Sequence, residues 1–166
     1  IDGIQKDGLV DVYSNELMGI CAERCAEKYS FSRDDQDKFA IESYKRSTDA
    51  WNKGYFNDEI VPVEIQQFKG EKIIVSEDEE FRNVNLDKIS NLKAAFKKNG
   101  TITAANSSTI SDGAAAVILM SKEKAQELNL RPLATIMGYS DAAIEPDWFT
   151  IAPSIALPMA AKKANI

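Results

Sequence analysis

Asn99-Gly100-Thr101-Ile102-Thr103-Ala104-Ala105-Asn106-Ser107-Ser108, followed after two residues by Ser111-Asp112-Gly113-Ala114-Ala115-Ala116, is the stretch on which the reading of this chain turns. From Thr101 to Gly113 it is almost uncharged and rich in Thr, Ser, Asn and Ala. Small side chains let a backbone approach a ligand closely, and hydroxyls and amides offer hydrogen bonds without bulk. Asp112-Gly113 opening into alanines suggests the entry of a helix or strand beneath such a site. On composition alone, a polar loop ending in a helix cap accounts for the same residues.

Downstream, residues 114–120 form an apolar run that fits a buried strand or a helix start, and 121–128 read as a short amphipathic helix. Residues 133–139 read as a strand, bounded by Pro132 and Gly138. Ala152-Pro153 opens a helix of small residues in which Pro158 is an expected kink. Upstream, Asp2-Gly3 and Asp7-Gly8 mark residues 1–13 as a loop or hairpin arm, and 18–29 are helical. Ser32 reads as an N-cap, with Asp34 and Asp35 in the first turn where negative charge suits the helix dipole. Ile41, Tyr44, Thr48 and Trp51 recur at helical spacing as one buried face, and Gly54 stops that helix. Two strands are expected at 60–65, with Pro62 at an edge or strand start, and at 71–75. The acidic run 77–80 reads as solvated surface leading into Leu86, Ile89, Leu92 and Phe96. Helices and strands alternate without an internal repeat, so the class is α/β or α+β.

Composition narrows the chemistry. The 166 residues carry a net charge of −6 and no histidine. An acidic chain argues against nonspecific nucleic-acid binding, although Lys93, Lys97 and Lys98 could serve one anionic ligand. No stretch approaches the roughly 20 apolar residues of a membrane span. Without histidine, Ser-His-Asp, Cys-His and most zinc arrangements are excluded within this chain. It opens on Ile1 rather than Met, which reads as a trimmed or incomplete sequence.

Three sets of residues resemble the thiolase family, specifically its biosynthetic acetoacetyl-CoA-forming members. They are Lys6-Asp7-Gly8-Leu9 with Met18-Gly19 and Ala22-Glu23; the Asn99–Ala116 motif; and Phe149-Thr150-Ile151-Ala152-Pro153. Gln36-Asp37-Lys38-Phe39-Ala40-Ile41-Glu42-Ser43-Tyr44 and Glu59-Ile60-Val61-Pro62-Val63 are similar too. The resemblance covers nearly the whole chain and implies a layered αβαβα fold, present here only in part. Residues 1–109 would be the loop domain that shapes the coenzyme A pocket. Residues 110–130 would close the N-terminal core domain, and 131–166 would begin the C-terminal one.

The resemblance also assigns roles. Ser108 would hydrogen-bond the pantetheine arm of coenzyme A, with Ala104 and Ala105 lining the same wall. Tyr44 would lie near coenzyme A and a potassium ion, to which Ala104, Ala105 and Ser107 would offer backbone carbonyls. Asn83, Val84, Asn85 and Lys88 fall where relatives contact the nucleotide end, although Asn83 and Asn85 stand where mitochondrial relatives carry charges. Met18 would line the pantetheine tunnel and Phe149 would stand beside the acyl group. Leu17 replaces a histidine and Thr150 a proline of mitochondrial members, which leans toward a cytoplasmic enzyme of sterol synthesis over a mitochondrial one.

In that family, a nucleophilic Cys, a His-Pro-x-Gly histidine and a second Cys in Cys-x-Gly perform the chemistry. The resemblance puts the first upstream and the others downstream of this segment. Cys21 and Cys25 lie outside those motifs and read as packing residues. The implied activity is condensation of two acetyl-CoA to acetoacetyl-CoA and free coenzyme A, or the reverse, in a homotetramer without a tightly bound cofactor. These 166 residues alone are expected to be inactive. A noncatalytic acyl-CoA-binding or oligomerisation module is the alternative.

Overall fold

Backbone contacts divide the chain into two units: Ala26–Ser108, and Thr109–Ile166 together with residues up to Cys25. The computed structural model describes residues 2–68 and 70–166. Helix α1 (Met18–Lys28) runs across the division, and α2 (Arg33–Asn52) is the longest element of the 26–108 unit.

Ser32 sets the start of α2 as expected. Its hydroxyl accepts from the Asp35 amide at 3.1 Å, while the Asp35 carboxylate accepts from the Ser32 amide at 3.1 Å, a reciprocal capping box. Lys53 caps the other end, and Gly54 follows with a φ of 71°, the left-handed conformation that lets the chain leave the helix. Hydrogen bonds from Ser32 hold the Asp35 carboxyl below its ordinary pKa of 3.8. A depressed folded-state pKa adds stability above pH 3.8 that disappears as pH falls through the folded value. Ser32→Ala removes the N-cap and is expected to weaken α2 by about 1 kcal/mol, a typical loss for an N-cap. Urea titrations at pH 7 and pH 3 read this directly: the wild-type advantage should shrink at the lower pH.

The inward face of α2 carries Asp37, Ala40, Ile41, Tyr44, Thr48 and Trp51 at three- and four-residue spacing. Trp51 stacks on Phe81 with centroids 5.7 Å apart and meets Phe56 at 5.2 Å. Phe81 belongs to the single-turn helix α3 (Glu80–Asn83), and a 3-10 turn at Leu86–Asn91 follows. Phe81, Ile89, Ile102 and Ala40 are buried between these pieces, with Thr103 fully enclosed. Both expected strands form, shortened to β1 (Val63–Ile65) and β2 (Ile73–Val75), antiparallel with Glu64 opposite Ile74. Pro62 sits immediately before β1, where its missing N–H costs no ladder bond. The acidic run is solvent-exposed up to Glu79, and Glu77 pairs with Arg82.

In the other unit the N-terminal arm differs from expectation: Gln5–Leu9 is a π-type helical segment, and only Val10 and Leu17 bridge as in a hairpin. The Asp11 carboxylate accepts from the Tyr13 and Ser14 amides and tightens the turn between them. Ile1, part of the same expectation, lies outside the described residues. The short helix at 121–128 is present as α4 (Lys122–Glu127), capped by Ser121. The final helix is α5 (Ala152–Lys163), which continues through Pro158.

Residues 114–120, expected as a strand or a helix start, and 133–139, expected as a strand, are neither helix nor strand here. Their apolar side chains point into solvent, Ile118 at 86% exposure and Ile136 at 68%. Continuous apolar runs of this kind suit strands covered on both faces, but a strand exists only through a neighbour's backbone. No second strand is supplied within the described residues of this unit. Gly138, at the end of the second run, lies against α5, and a Cβ there would come within 2.7 Å of the Ala160 carbonyl. That close approach to backbone atoms accounts for the glycine at 138.

Candidate functional site

The uncharged loop that opened the sequence reading is held by side chains of α2. Asn106 forms its centre: its Oδ1 accepts from the Thr103 amide at 2.7 Å, and its Nδ2 donates to the Thr101 carbonyl at 3.0 Å. The same Nδ2 donates to Asp37 Oδ1 at 3.1 Å, tying the loop to the helix. Gln36 Nε2 donates to Thr101 Oγ1 at 2.9 Å. Ser107 Oγ closes the turn by donating to the Thr103 carbonyl at 2.6 Å.

Asp37 is buried although charged, a costly arrangement unless every lone pair is used. Arg33, one turn earlier, supplies the countercharge by donating Nε to Asp37 Oδ2 at 2.7 Å. Its Nη2 continues to the Ile89 carbonyl at 2.9 Å. A side-chain network thus joins α2, the 101–108 loop and the Leu86–Asn91 turn.

The expected contact residues can now be placed. Tyr44 is half-buried on α2, and its hydroxyl donates to Glu80 Oε1 at 3.3 Å. Burial, with the Glu80 carboxylate second, pushes the phenol above its ordinary value, so Tyr44 stays protonated and remains a donor. Asn83 ends α3, Val84 and Asn85 form the link, and Lys88 lies within the following turn. Lys88 is exposed and has no carboxylate partner among the described residues. Ala104 and Ala105 occupy the turn of the 101–108 loop, and Ser108 ends it exposed. The Ser108 hydroxyl has no hydrogen-bond partner among the described residues, in contrast to Ser107.

For a potassium ion, the test is whether oxygens are available. The carbonyls of Ala104, Ala105 and Ser107 accept no hydrogen bond among the described residues, and the Tyr44 oxygen keeps lone pairs. Such a neutral oxygen set fits a hard cation. Among the described residues no group of His, Cys, Asp and Glu is arranged to hold a metal.

Met18 and Phe149 belong to the other unit, each partly exposed, the first on α1 and the second in the 3-10 turn Pro146–Ile151. Cys21, on the same face of this unit's helix, is fully buried and free, and Cys25 is free as well. Burial, with Asp147 second, raises the Cys21 thiol above its ordinary value, the opposite of what a nucleophile requires. Arg24 pairs with Glu16 and, at 3.2 Å, with Asp147. A cavity of about 450 Å³ lies nearby, lined by Asp11, Tyr13, Asp147 and Trp148.

The sequence reading did not single out Asp37, Arg33, Asn106 or Glu80 as organisers of the site. One signal was present: Arg33 and Asp37 are spaced i,i+4, the separation at which opposite charges meet on a helix. Their link to Asn106 spans 69 residues and has no local signature.

Residues 1–123 match the family described as thiolase, N-terminal domain. A probable acetyl-CoA acetyltransferase of Dictyostelium discoideum is 52% identical over 166 residues, covering all of this chain and 40% of that protein. A mitochondrial acetyl-CoA acetyltransferase A of Xenopus laevis is also 52% identical, covering 99% of this chain and 40% of that protein. The crystal structure of an Ascaris suum thiolase in complex with coenzyme A superposes with a TM-score of 0.91 at 42% identity, covering 100% of this chain and 42% of that one. This chain therefore spans about two fifths of the length of the relatives it matches. With the thiolase N-terminal domain matched over most of its length and a thiolase structure overlaid on all of it, this chain belongs to the thiolase family and has part of the thiolase fold.

Proposed function

We propose that the protein bearing this chain is an acetyl-CoA acetyltransferase, and that these residues hold its coenzyme A. The observation that carries the reading is the 101–108 loop. It is clamped from within by Asn106 and from α2 by Asp37, yet presents the free Ser108 hydroxyl and the small Ala104 and Ala105. A loop fixed before the ligand arrives pays little ordering entropy on binding. Ser108 would hydrogen-bond the pantetheine amides, with the alanines admitting the arm past them. Lys88, with Asn83, Val84 and Asn85, would meet the phosphates and adenine at the other end. Met18 and Phe149 would line the way to the acyl group.

In the reaction proposed, one acetyl group passes to a cysteine supplied elsewhere in the protein. A second acetyl-CoA then loses a methyl proton and its carbon attacks that thioester, releasing coenzyme A and forming acetoacetyl-CoA. The contribution of this chain is to anchor the long coenzyme A handle so that the reacting carbon is placed correctly. Potassium would rest on the free carbonyls of Ala104, Ala105 and Ser107 beside Tyr44. The domain division at 109/110 and 130/131, the homotetramer and a place in sterol synthesis belong to the same reading. Leu17 and Thr150 support the cytoplasm over the mitochondrion.

Acetyl-CoA-dependent release of free coenzyme A by the complete enzyme tests the activity. Ser108→Ala is expected to raise the KM for acetyl-CoA about fivefold, the worth of one neutral hydrogen bond, with a smaller change in kcat. An unchanged KM would remove Ser108 from the pantetheine wall.

A further inference from the structure

One carboxylate, that of Asp37, is bonded toward both ends of the coenzyme A surface. Starting from the turn that carries Lys88, the Ile89 carbonyl accepts from Arg33 at 2.9 Å, and Arg33 donates to Asp37 at 2.7 Å. From the opposite side, Asp37 accepts from Asn106 at 3.1 Å, and Asn106 accepts from the Thr103 amide at 2.7 Å, immediately before Ala104. The chain of bonds begins one residue after Lys88 and ends one residue before the Ala104 wall.

The chemistry at its centre admits little substitution. Asp37 must accept from a guanidinium on one oxygen and from an amide NH2 on the other. An ionised carboxylate offers two acceptor oxygens and no donor, whereas asparagine would turn an NH2 toward one of those donors. Asn106 cannot flip to compensate, because its own oxygen is committed to the Thr103 amide.

We propose that Asp37 is a positioning residue that sets the distance between the nucleotide end and the pantetheine end of the site. Coenzyme A, which must reach both, depends on its charge, and ligands that occupy one end do not. The inference rests on the coenzyme A reading above. A ligand that joins two subsites gains affinity only when their spacing matches its length.

The test compares three ligands by calorimetry on the complete enzyme: coenzyme A, pantetheine and adenosine 3′,5′-bisphosphate. Asp37→Asn is expected to weaken coenzyme A about tenfold, a modest part of the gain that linkage confers, and to leave each half-ligand within about twofold. Arg33→Lys, which keeps the charge but cannot reach both Asp37 and Ile89 as a fork, should show the same selective loss. Equal losses for all three ligands would mark general damage to the fold and overturn the inference, as would unchanged coenzyme A affinity. Wild-type enzyme that binds no coenzyme A would overturn the coenzyme A reading and this inference together; wild-type binding with a uniform loss in both variants overturns the inference alone.

Discussion

Replacing Asp37 by alanine is expected to destabilise the 26–108 unit by about 3 kcal/mol, because it removes the countercharge of Arg33 and one acceptor each from Arg33 and Asn106 at a buried position, leaving them the Ile89 and Thr101 carbonyls. Asp37 is 5% exposed, so neither the Arg33 guanidinium nor the Asn106 amide regains full hydration when the carboxylate is removed. The Arg33 side chain is 25% exposed and recovers some water, which places the loss at the lower end of the range for breaking a buried ion pair. Against a typical domain stability of about 5–15 kcal/mol, that loss is large. Urea unfolding followed by Trp51 fluorescence would measure it, since Trp51 packs on Phe81 in the same unit. A loss under about 1 kcal/mol, the range of an exposed pair, would show that the pair is solvated in solution.

Ile89→Ala is expected to cost a similar amount, about 3 kcal/mol, through an unrelated mechanism. Ile89 is 1% exposed and is the largest fully enclosed side chain described. Its truncation leaves a cavity beneath the turn that presents Lys88, and cores relax only partly into such a space. Ile89→Val, which removes one methylene, should cost only about 1 kcal/mol. The graded pair separates packing from chemistry: neither variant deletes the carbonyl that accepts from Arg33.

Local features of the fold were legible in the chain. The Ser32 cap, the α2 stripe, the Gly54 stop, the short helix within 121–128 and the two strands at and after Pro62 all depend on residues close in sequence. The strand or helix start at 114–120 and the strand at 133–139 were not secured in the same way. Their apolar patterning states that both faces want cover, but pairing is a property of two segments, and the described residues offer them no neighbour. The N-terminal arm misled for another reason: Asp7-Gly8 signals a turn, yet here it lies inside the helical segment Gln5–Leu9.

For the site, the sequence by itself determined which kinds of atoms were on offer. The small, hydroxyl-rich Thr101–Gly113 stretch marked a backbone built for close approach, and its motif carried the thiolase likeness that the family match then established. Tertiary structure alone decided how that stretch is held. Ser107 and Ser108 are neighbours of identical chemistry, yet the first spends its hydroxyl on the Thr103 carbonyl and the second leaves its own free. Asp37 looked like one more acid at the start of a helix, until folding set Asn106 against one oxygen and Arg33 against the other. The physical reason is that hydrogen-bond demand in a buried place is settled by whichever donors the fold brings there, over a separation that no local pattern records.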